Sequence, residues 1–533
     1  MDKDKVNAEH IERATNSPPL DEKNHTGTTT RDPNLNLASV TAARPPKPWS
    51  KQMLKLYGIL LVLYLCATMQ GYDGSLMGSI NALNEYQDYF KGQHNTGLVF
   101  SIYQIGQICA SAFLWISDTW GRRISVAVGL SIVILGTIVQ GTAHTMNQFI
   151  AGRFLLAFGS GVPAMTAPLF VVELAHPNYR GTLTGLYNTL WYMGSIIATF
   201  TVYGTSINMP GSNMTFLLPI WLQLLCPAIS LVFLYLLVPE SPRWLIANGK
   251  FEQAKDFIIK YHGENDPSHP LVELELAEIE EAIRHDNGSD KRPWDYRGLY
   301  KTPSARYRSL MVIFMAWFGQ FSGNNIATYY LPKMTEIAGV TSTNMQLLLT
   351  AIYSVISWIS AMAGARCHDI LGRRPMLMIS TFSMTVCFAI IAATTAIFER
   401  TASQTSSIAS IVFIYLFGVV FAFGFTPMQV TYPAECLTSE MRAKGMSLNL
   451  LVLGTAGFVN NYAAPVAMAN LTWKFYIFFM CWDAFEGFAV WMWFVETKGR
   501  TMEELEEVFS APNPKKASLV KPGSARHGGV EMI

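Results

Sequence analysis

Stretches of about twenty apolar residues, the length that carries a helix across the hydrocarbon core of a bilayer, return repeatedly along this chain. Residues 54–71, 125–143 and 216–238 are three of them. The expected spans are 54–73, 97–117, 124–143, 148–172, 182–205 and 216–238. After a polar interval come 309–331, 345–365, 376–397, 408–430, 444–465 and 473–495. A soluble core has no use for so many. Composition agrees: half of the residues are hydrophobic and only 14% are charged, against about 25% in a soluble domain. The chain reads as an all-α membrane protein with twelve transmembrane helices.

Basic residues in short loops set the orientation, because they stay on the cytoplasmic side. Arg122 and Arg123, Arg180, Arg366 with Arg373 and Arg374, and Arg442 with Lys444 fall in the loops after spans two, four, eight and ten. That side is predicted to be cytoplasmic, and with an even number of spans it also takes both termini. Residues 1–50 and the end of the chain after 511 are polar, Pro-containing and free of an apolar signal-peptide core, and read as disordered tails. Between the halves, 251–262 and 271–284 carry apolar residues at three- and four-residue spacing among acids, the pattern of amphipathic helices lying under a bundle. A net charge of +1 gives no argument for nucleic acid. The seven cysteines show no metal spacing, and no cofactor or metal is expected.

The halves repeat each other. Asp118-Thr-Trp-Gly-Arg-Arg123 after span two returns as Asp369-Ile-Leu-Gly-Arg-Arg374 after span eight. Glu173 precedes Arg180 by seven residues, as Glu435 precedes Arg442, and Glu240 with Arg243 after span six has its counterpart in Glu496 after span twelve. Three matched pairs in matched order indicate a duplicated six-helix unit. The acids and arginines suggest two clusters of interhelical ion pairs acting as a cytoplasmic gate; the bland alternative is that the arginines are topology signals only.

Taken together, Asp118…Arg123, Arg153, Glu173…Arg180, Pro-Glu-Ser-Pro-Arg243, Gln320-Phe-Ser-Gly-Asn-Asn325 with Tyr329-Tyr330, Asp369…Arg374 and Glu496-Thr-Lys-Gly-Arg500 resemble the sugar porter family of the major facilitator superfamily. Gly71-Tyr-Asp-Gly-Ser-Leu-Met77 and Lys260-Tyr-His262 look like its fungal lactose permease and cellodextrin transporter branch. The resemblance implies two pseudo-symmetric six-helix bundles at 51–242 and 309–497. Around them would lie a cytoplasmic tail (1–50), a cytoplasmic helical linker (243–308) and a C-terminal helix with a tail (498–533). It implies a carrier rather than an enzyme, working as a monomer among membrane lipids.

Asp73 is the residue that argues for energy coupling, since an ionisable group inside a span marks a proton or substrate path by default. Arg153, early in span four, is its natural partner. In the family's proton symporters an Asp and an Arg at these positions pair; the alternative is a structural pair without turnover. Span seven crowds Gln320, Asn324, Asn325 and Tyr329 into one stretch, and amides offer the donors and acceptors that sugar hydroxyls need. By resemblance Gln320 and Asn325 match sugar-binding amides, with Tyr192, Trp191 and Tyr329 as aromatic walls. Departures from the family stand at Gly319, where it has an amide, at Tyr192, where it has a glutamine, and near Val430, where its span-ten tryptophan is missing with Gln429 alongside. They favour a pocket lined unlike that of the hexose carriers.

Asp483 and Glu486 are further acids within span twelve. Asn213 and Asn470 open glycosylation sequons in predicted outside loops, with Asn213 the better placed; Asn24 and Asn287 are expected to face the cytoplasm and stay bare. The expected function is proton-coupled sugar import, of a hexose or a disaccharide such as lactose or cellobiose. The rivals are a sugar uniporter, a sugar sensor that does not transport, and a carrier or exporter of a non-sugar metabolite.

Overall fold

The computed structural model describes residues 46–90, 96–286, 296–500 and 502–520. The sequons at Asn24 and Asn287 and most of both expected tails lie outside them. The first half runs α1 (Lys51–Ile80), α2 (Asn84–Tyr89), α3 (Thr96–Ser111), α4 (Ile116–Thr119), α5 (Arg122–Gly141), α6 (Met146–Leu174), α7 (Arg180–Asn208), α8 (Met214–Leu222) and α9 (Leu225–Leu237). The polar interval holds α10 (Pro242–Ala247), α11 (Phe251–Tyr261) and α12 (Pro270–Asp286). The second half runs α13 (Pro303–Phe321), α14 (Asn324–Tyr329), α15 (Leu331–Ile337), α16 (Thr343–Leu371), α17 (Arg373–Thr401), α18 (Gln404–Gly424), α19 (Met428–Cys436), α20 (Ser439–Leu471) and α21 (Lys474–Trp493). Two short helices follow, α22 (Met502–Ser510) and α23 (Pro514–Ser518).

Local chemistry marks where helices begin. Ser50 caps α1 by accepting from the Met53 N–H, Thr145 caps α6 through Gln148, and Thr302 caps α13 through Ala305. Two spans break where the backbone must. In span six, Pro227 has no N–H to offer the Gln223 carbonyl, and the helix splits into α8 and α9 at Gln223. In span seven, Gly323 adopts φ +84°, a left-handed conformation that costs glycine little, and α13 ends there before α14 starts.

Packing repeats as the motifs do. Span one lies on span five (α1 with α7) as seven lies on eleven (α13 with α20). Two lies on four (α3 with α6) as eight lies on ten (α16 with α18). Three packs on four and six, and nine on ten and twelve. Between the halves, α7 meets α16 and α3 meets α20, and adding six spans turns the first contact into the second. The chain is thus a twelve-span all-α protein of two pseudo-symmetric six-helix bundles.

Among the described residues, nine helices are long and apolar enough to cross a membrane. The other three spans are α3, α7 and α13 with α14. α3 is 16 residues long, and α7 and the α13–α14 stretch are rich in Thr, Tyr, Asn, Gln and Gly. Their polarity has a use, since these spans line the internal cavity described below.

Beneath the first half, α11 and α12 are fastened by a buried polar cluster. His262 places Nδ1 2.7 Å from Glu275 Oε2 and Nε2 3.1 Å from the Leu174 carbonyl at the end of α6. His176, whose ring centre is 5.3 Å from that of His262, accepts the Asn178 N–H on Nδ1. Burial, with the neighbouring His262, pushes His176 from 6.5 down to about 4. With the linker undocked, His176 therefore takes up a proton that it refuses beneath the docked one. The contribution to docking is complete above pH 6.5 and is lost as pH falls through about 4, a change of roughly 3 kcal/mol. Spin-label distances between α11 and α7 should hold steady from pH 8 to 6.5 and broaden toward pH 4, and His176→Asn should remove that transition.

Candidate functional site

Asp73 and Arg153 meet inside the first bundle, each only 1% exposed. Arg153 Nη1 donates to Asp73 Oδ1 at 3.0 Å. Gln223, turned inward by the break in span six, donates its Nε2 to the same oxygen at 2.7 Å. Asp73 Oδ2 has no hydrogen bond among the described residues. A lone carboxylate or guanidinium here would be prohibitively costly, and pairing makes both tolerable. One carboxylate oxygen is thus committed to two donors while the other stays open to a proton. Gln223 was not among the residues singled out from sequence. An amide in an apolar run, shortly before a proline, was the available signal.

Next to the pair lies an internal cavity of about 130 Å³ at the seam between the bundles. All six sequence-predicted contacts, Tyr192, Gln320, Asn324, Asn325, Tyr329 and Gln429, line it. So do Gln70, Gln104, Gln107, Asn188 and Asn449, together with Tyr103, Tyr187 and Trp191. Of these, only Trp191 was anticipated. No lining residue carries a charge. Gln70 Nε2, Gln104 Oε1, Tyr187 Oη, Asn325 Nδ2 and Asn449 Oδ1 are buried and have no hydrogen-bond partner among the described residues. Buried polar atoms are normally satisfied, so an uncharged set of donors and acceptors left open on one cavity calls for a polar, neutral occupant. Gln429 fills the notch left by Gly319, donating to its carbonyl at 3.2 Å, and a Cβ at 319 would lie 2.9 Å from its Nε2, so a side chain there would have to displace the amide. The departures at Gly319 and Gln429 are therefore one joint rearrangement of the pocket wall.

Tyr329 lines one end of the cavity, with Tyr330 beside it. The α14 backbone presses on Gly78 of α1, Tyr329 and Tyr330 both meet Phe100, and Tyr330 donates to the Asn461 carbonyl at 3.0 Å. At the other end of α3, Ser447 of α20 donates to the Ser111 carbonyl at 2.8 Å, and Leu114, Met165, Val312, Leu437 and Leu450 pack into one apolar plug.

The duplicated motifs form two near-identical clusters. Arg122 grips Glu173 through Nε at 3.1 Å and Nη2 at 3.2 Å, and reaches Asp118 at 2.7 Å. Arg373 grips Glu435 at 3.2 and 2.8 Å and reaches Asp369 at 3.1 Å. Glu240 accepts the N–H groups of Arg122 and Arg123 at the start of α5, and Glu496 accepts those of Arg373 and Arg374 at the start of α17. A carboxylate at a helix N-terminus is held by such donors and by the helix dipole. Arg123 and Arg374 extend to the Tyr235 and Trp491 carbonyls, and the charge of Arg243 acts on Asp118 and Glu173. The ion pairs just described join helices within one bundle in each case. Glu173 pairs with Arg122, and Arg180 lies instead in the field of Glu275 and His176. Arg442 starts the second turn of α20.

Asp483 and Glu486 are fully buried on α21 and do not line the cavity. Asn213 is exposed in the loop between α7 and α8.

Two matched bundles, a cavity lined by amides and tyrosines at their seam and a buried ion pair beside it define a membrane carrier. The family described as "Sugar (and other) transporter" matches residues 59–509, and the chain belongs to that family, within the major facilitator superfamily. Its members are transporters and not enzymes. The high-affinity glucose transporter of Kluyveromyces lactis is 26% identical over 85% of this chain and 85% of its own length. A quinate permease of Neurospora africana is 24% identical over 89% of this chain and 92% of its own. The solved structure of the proton:xylose symporter XylE of E. coli superposes with TM-score 0.73 at 22% identity, covering 86% of this chain and 99% of that one.

Proposed function

We propose that this protein imports a neutral sugar, a hexose or a small disaccharide, together with a proton, by alternating access in the plasma membrane, with both termini cytoplasmic. The observation that carries the reading is the buried Asp73–Arg153–Gln223 cluster standing beside a cavity of open, uncharged donors and acceptors. Among the similar proteins are glucose transporters and a proton:xylose symporter, which supports the same reading.

With the outer side open, a proton adds to Asp73 Oδ2 and the carboxyl loses its claim on Arg153. With the carboxyl neutral and Arg153 still charged, the ionic attraction that resisted rearrangement of α1 against α6 is gone. Sugar settles on Gln320, Asn325 and Gln429, with Tyr192 and Trp191 as flat walls. Closure of α14 over α1 seals sugar and proton together. Parting of the inner plug then admits cytoplasmic water, and Arg153 draws Asp73 back to its ionised form as the proton leaves. Throughout, the two arginine clusters keep each bundle rigid, so that the halves move as units. Asn213, exposed on an outer loop, is the proposed glycosylation site.

A carrier of quinate or another acid would be expected to hold its carboxylate on a cation; among the described residues no cation lines the cavity, and Arg153 beside it is engaged by Asp73. The test is uptake of labelled glucose, lactose, cellobiose and quinate by cells lacking their own carriers, at pH 5 and 7.5, with and without a protonophore. At least one sugar should enter faster at pH 5 and lose that advantage with the protonophore. Uptake indifferent to both rejects symport, and uptake of quinate alone rejects a sugar substrate.

A further inference from the structure

The ion pair and the cavity do not touch. Asp73 and Arg153 are absent from the cavity wall, so whatever lets sugar and proton sense each other must pass through a residue that reaches both. Tyr103 of α3 does. One part of the residue lines the cavity. Its ring centre stands 5.4 Å from Arg153 Cζ, within range for a cation–π contact. Its hydroxyl lies 3.3 Å from Ser160 Oγ, two turns beyond Arg153 on the same helix. We propose that Tyr103 is the positioning residue through which an occupied cavity favours proton binding at Asp73. The proposal rests on the symport reading given above.

Other groups facing the pair have different places. Tyr86 of α2 acts on Arg153 from the outer side, and Tyr329 of α14 faces both members. Gln223 is neutral. Tyr329 belongs to the second bundle and leaves when the outer side opens. Asp73, Arg153 and Tyr103 all belong to the first bundle, so their contact persists through a rigid-body cycle. Sugar packed on the cavity side of the Tyr103 ring presses its face toward the guanidinium. An Arg153 better held by the ring and by α6 gives up Asp73 more readily, and Asp73 then keeps its proton more readily. Linkage makes the effect mutual: a protonated Asp73 strengthens sugar binding by the factor through which sugar strengthens proton binding. The ring face carries the link to Arg153 and survives in phenylalanine, which gives up only the hydroxyl that also acts on Asp73; Tyr103→Phe should therefore keep the pH dependence, and an aliphatic side chain should not.

The experiment compares wild type with Tyr103→Phe, Tyr103→Leu, Tyr103→Met and Asp73→Asn in proteoliposomes, using labelled glucose, lactose and cellobiose. Half-saturation is read at pH 5 and 7.5, and counterflow at saturating sugar reports an intact carrier. Wild type and Tyr103→Phe should bind roughly fivefold or more tightly at pH 5. In whichever of the Leu and Met variants retains counterflow, that ratio should fall to near one. A ratio unchanged in a counterflow-competent Leu or Met variant, but lost in Asp73→Asn, overturns the role of Tyr103 and leaves symport standing. A wild type with no pH dependence removes the symport reading and this inference with it.

Discussion

Replacing Asp73 by Asn is expected to leave a carrier that equilibrates sugar across the membrane and cannot concentrate it. The driving force at stake is large. One proton moving down 100 mV releases about 2.3 kcal/mol, and one pH unit adds about 1.4 kcal/mol. Together they support accumulation on the order of several hundredfold. Without a group that takes up and gives back the proton, the inside-to-outside ratio should settle near one. Counterflow should survive, because the Asn side-chain oxygen can still accept from Gln223 and Arg153 where Asp73 Oδ1 does now, and Arg153 keeps the Tyr103 ring. The check is steady-state accumulation against counterflow in the same cells at matched protein abundance.

Substituting Leu at Gly71 or Gly194 should abolish the folded carrier outright. These glycines are where α1 and α7 cross. A Cβ on Gly71 would lie 1.7 Å from the Trp191 carbonyl oxygen, and one on Gly194 would lie 1.8 Å from that of Thr68. Both obstacles are backbone, so no rotamer change relieves them and the helices have to separate. Membrane helices gain much of their association from such close approach of small residues. Overpacking by a few methylenes already costs about 1–3 kcal/mol where side chains can yield, and a backbone clash leaves nothing to yield. Loss of the monodisperse peak in size-exclusion chromatography is the expected result. Gly58→Leu in α1 and Gly204→Leu in α7, where a Cβ would meet nothing within 4 Å, should behave like wild type.

Much of this was legible before any coordinates. Apolar length marked the spans, and the duplicated Asp–x–x–Gly–Arg–Arg motif announced the two bundles, because short-range turn and charge chemistry leaves its mark on neighbouring residues. Gly121 and Gly372 show how: at φ +101° and +98° each turns the chain into the next helix, where Glu240 and Glu496 wait for the exposed N–H groups. The crowded polar stretch of span seven likewise advertised itself. Gln70, Gln104, Asn188 and Asn449 did not, since they are scattered over four helices without a crowded polar stretch like that of span seven, and only the packing of distant spans gathers them on one cavity. Which arginine grips Glu173 was hidden for a related reason, although Arg180 follows it in the chain. Seven residues separate them, but α6 ends at Leu174 and a loop re-aims the chain, carrying Arg180 toward Glu275 while Arg122 reaches across from α5.

Whether a hydrogen ion travels with each sugar through Asp73 is best asked with a pH electrode in a weakly buffered suspension of proteoliposomes holding the purified carrier. Adding a transported sugar should make the outside medium more alkaline as wild type carries both inward, and Asp73→Asn should admit the sugar with no change in pH. Sugar entry into wild-type vesicles without alkalinisation, or undiminished alkalinisation with the Asn variant, would contradict the account.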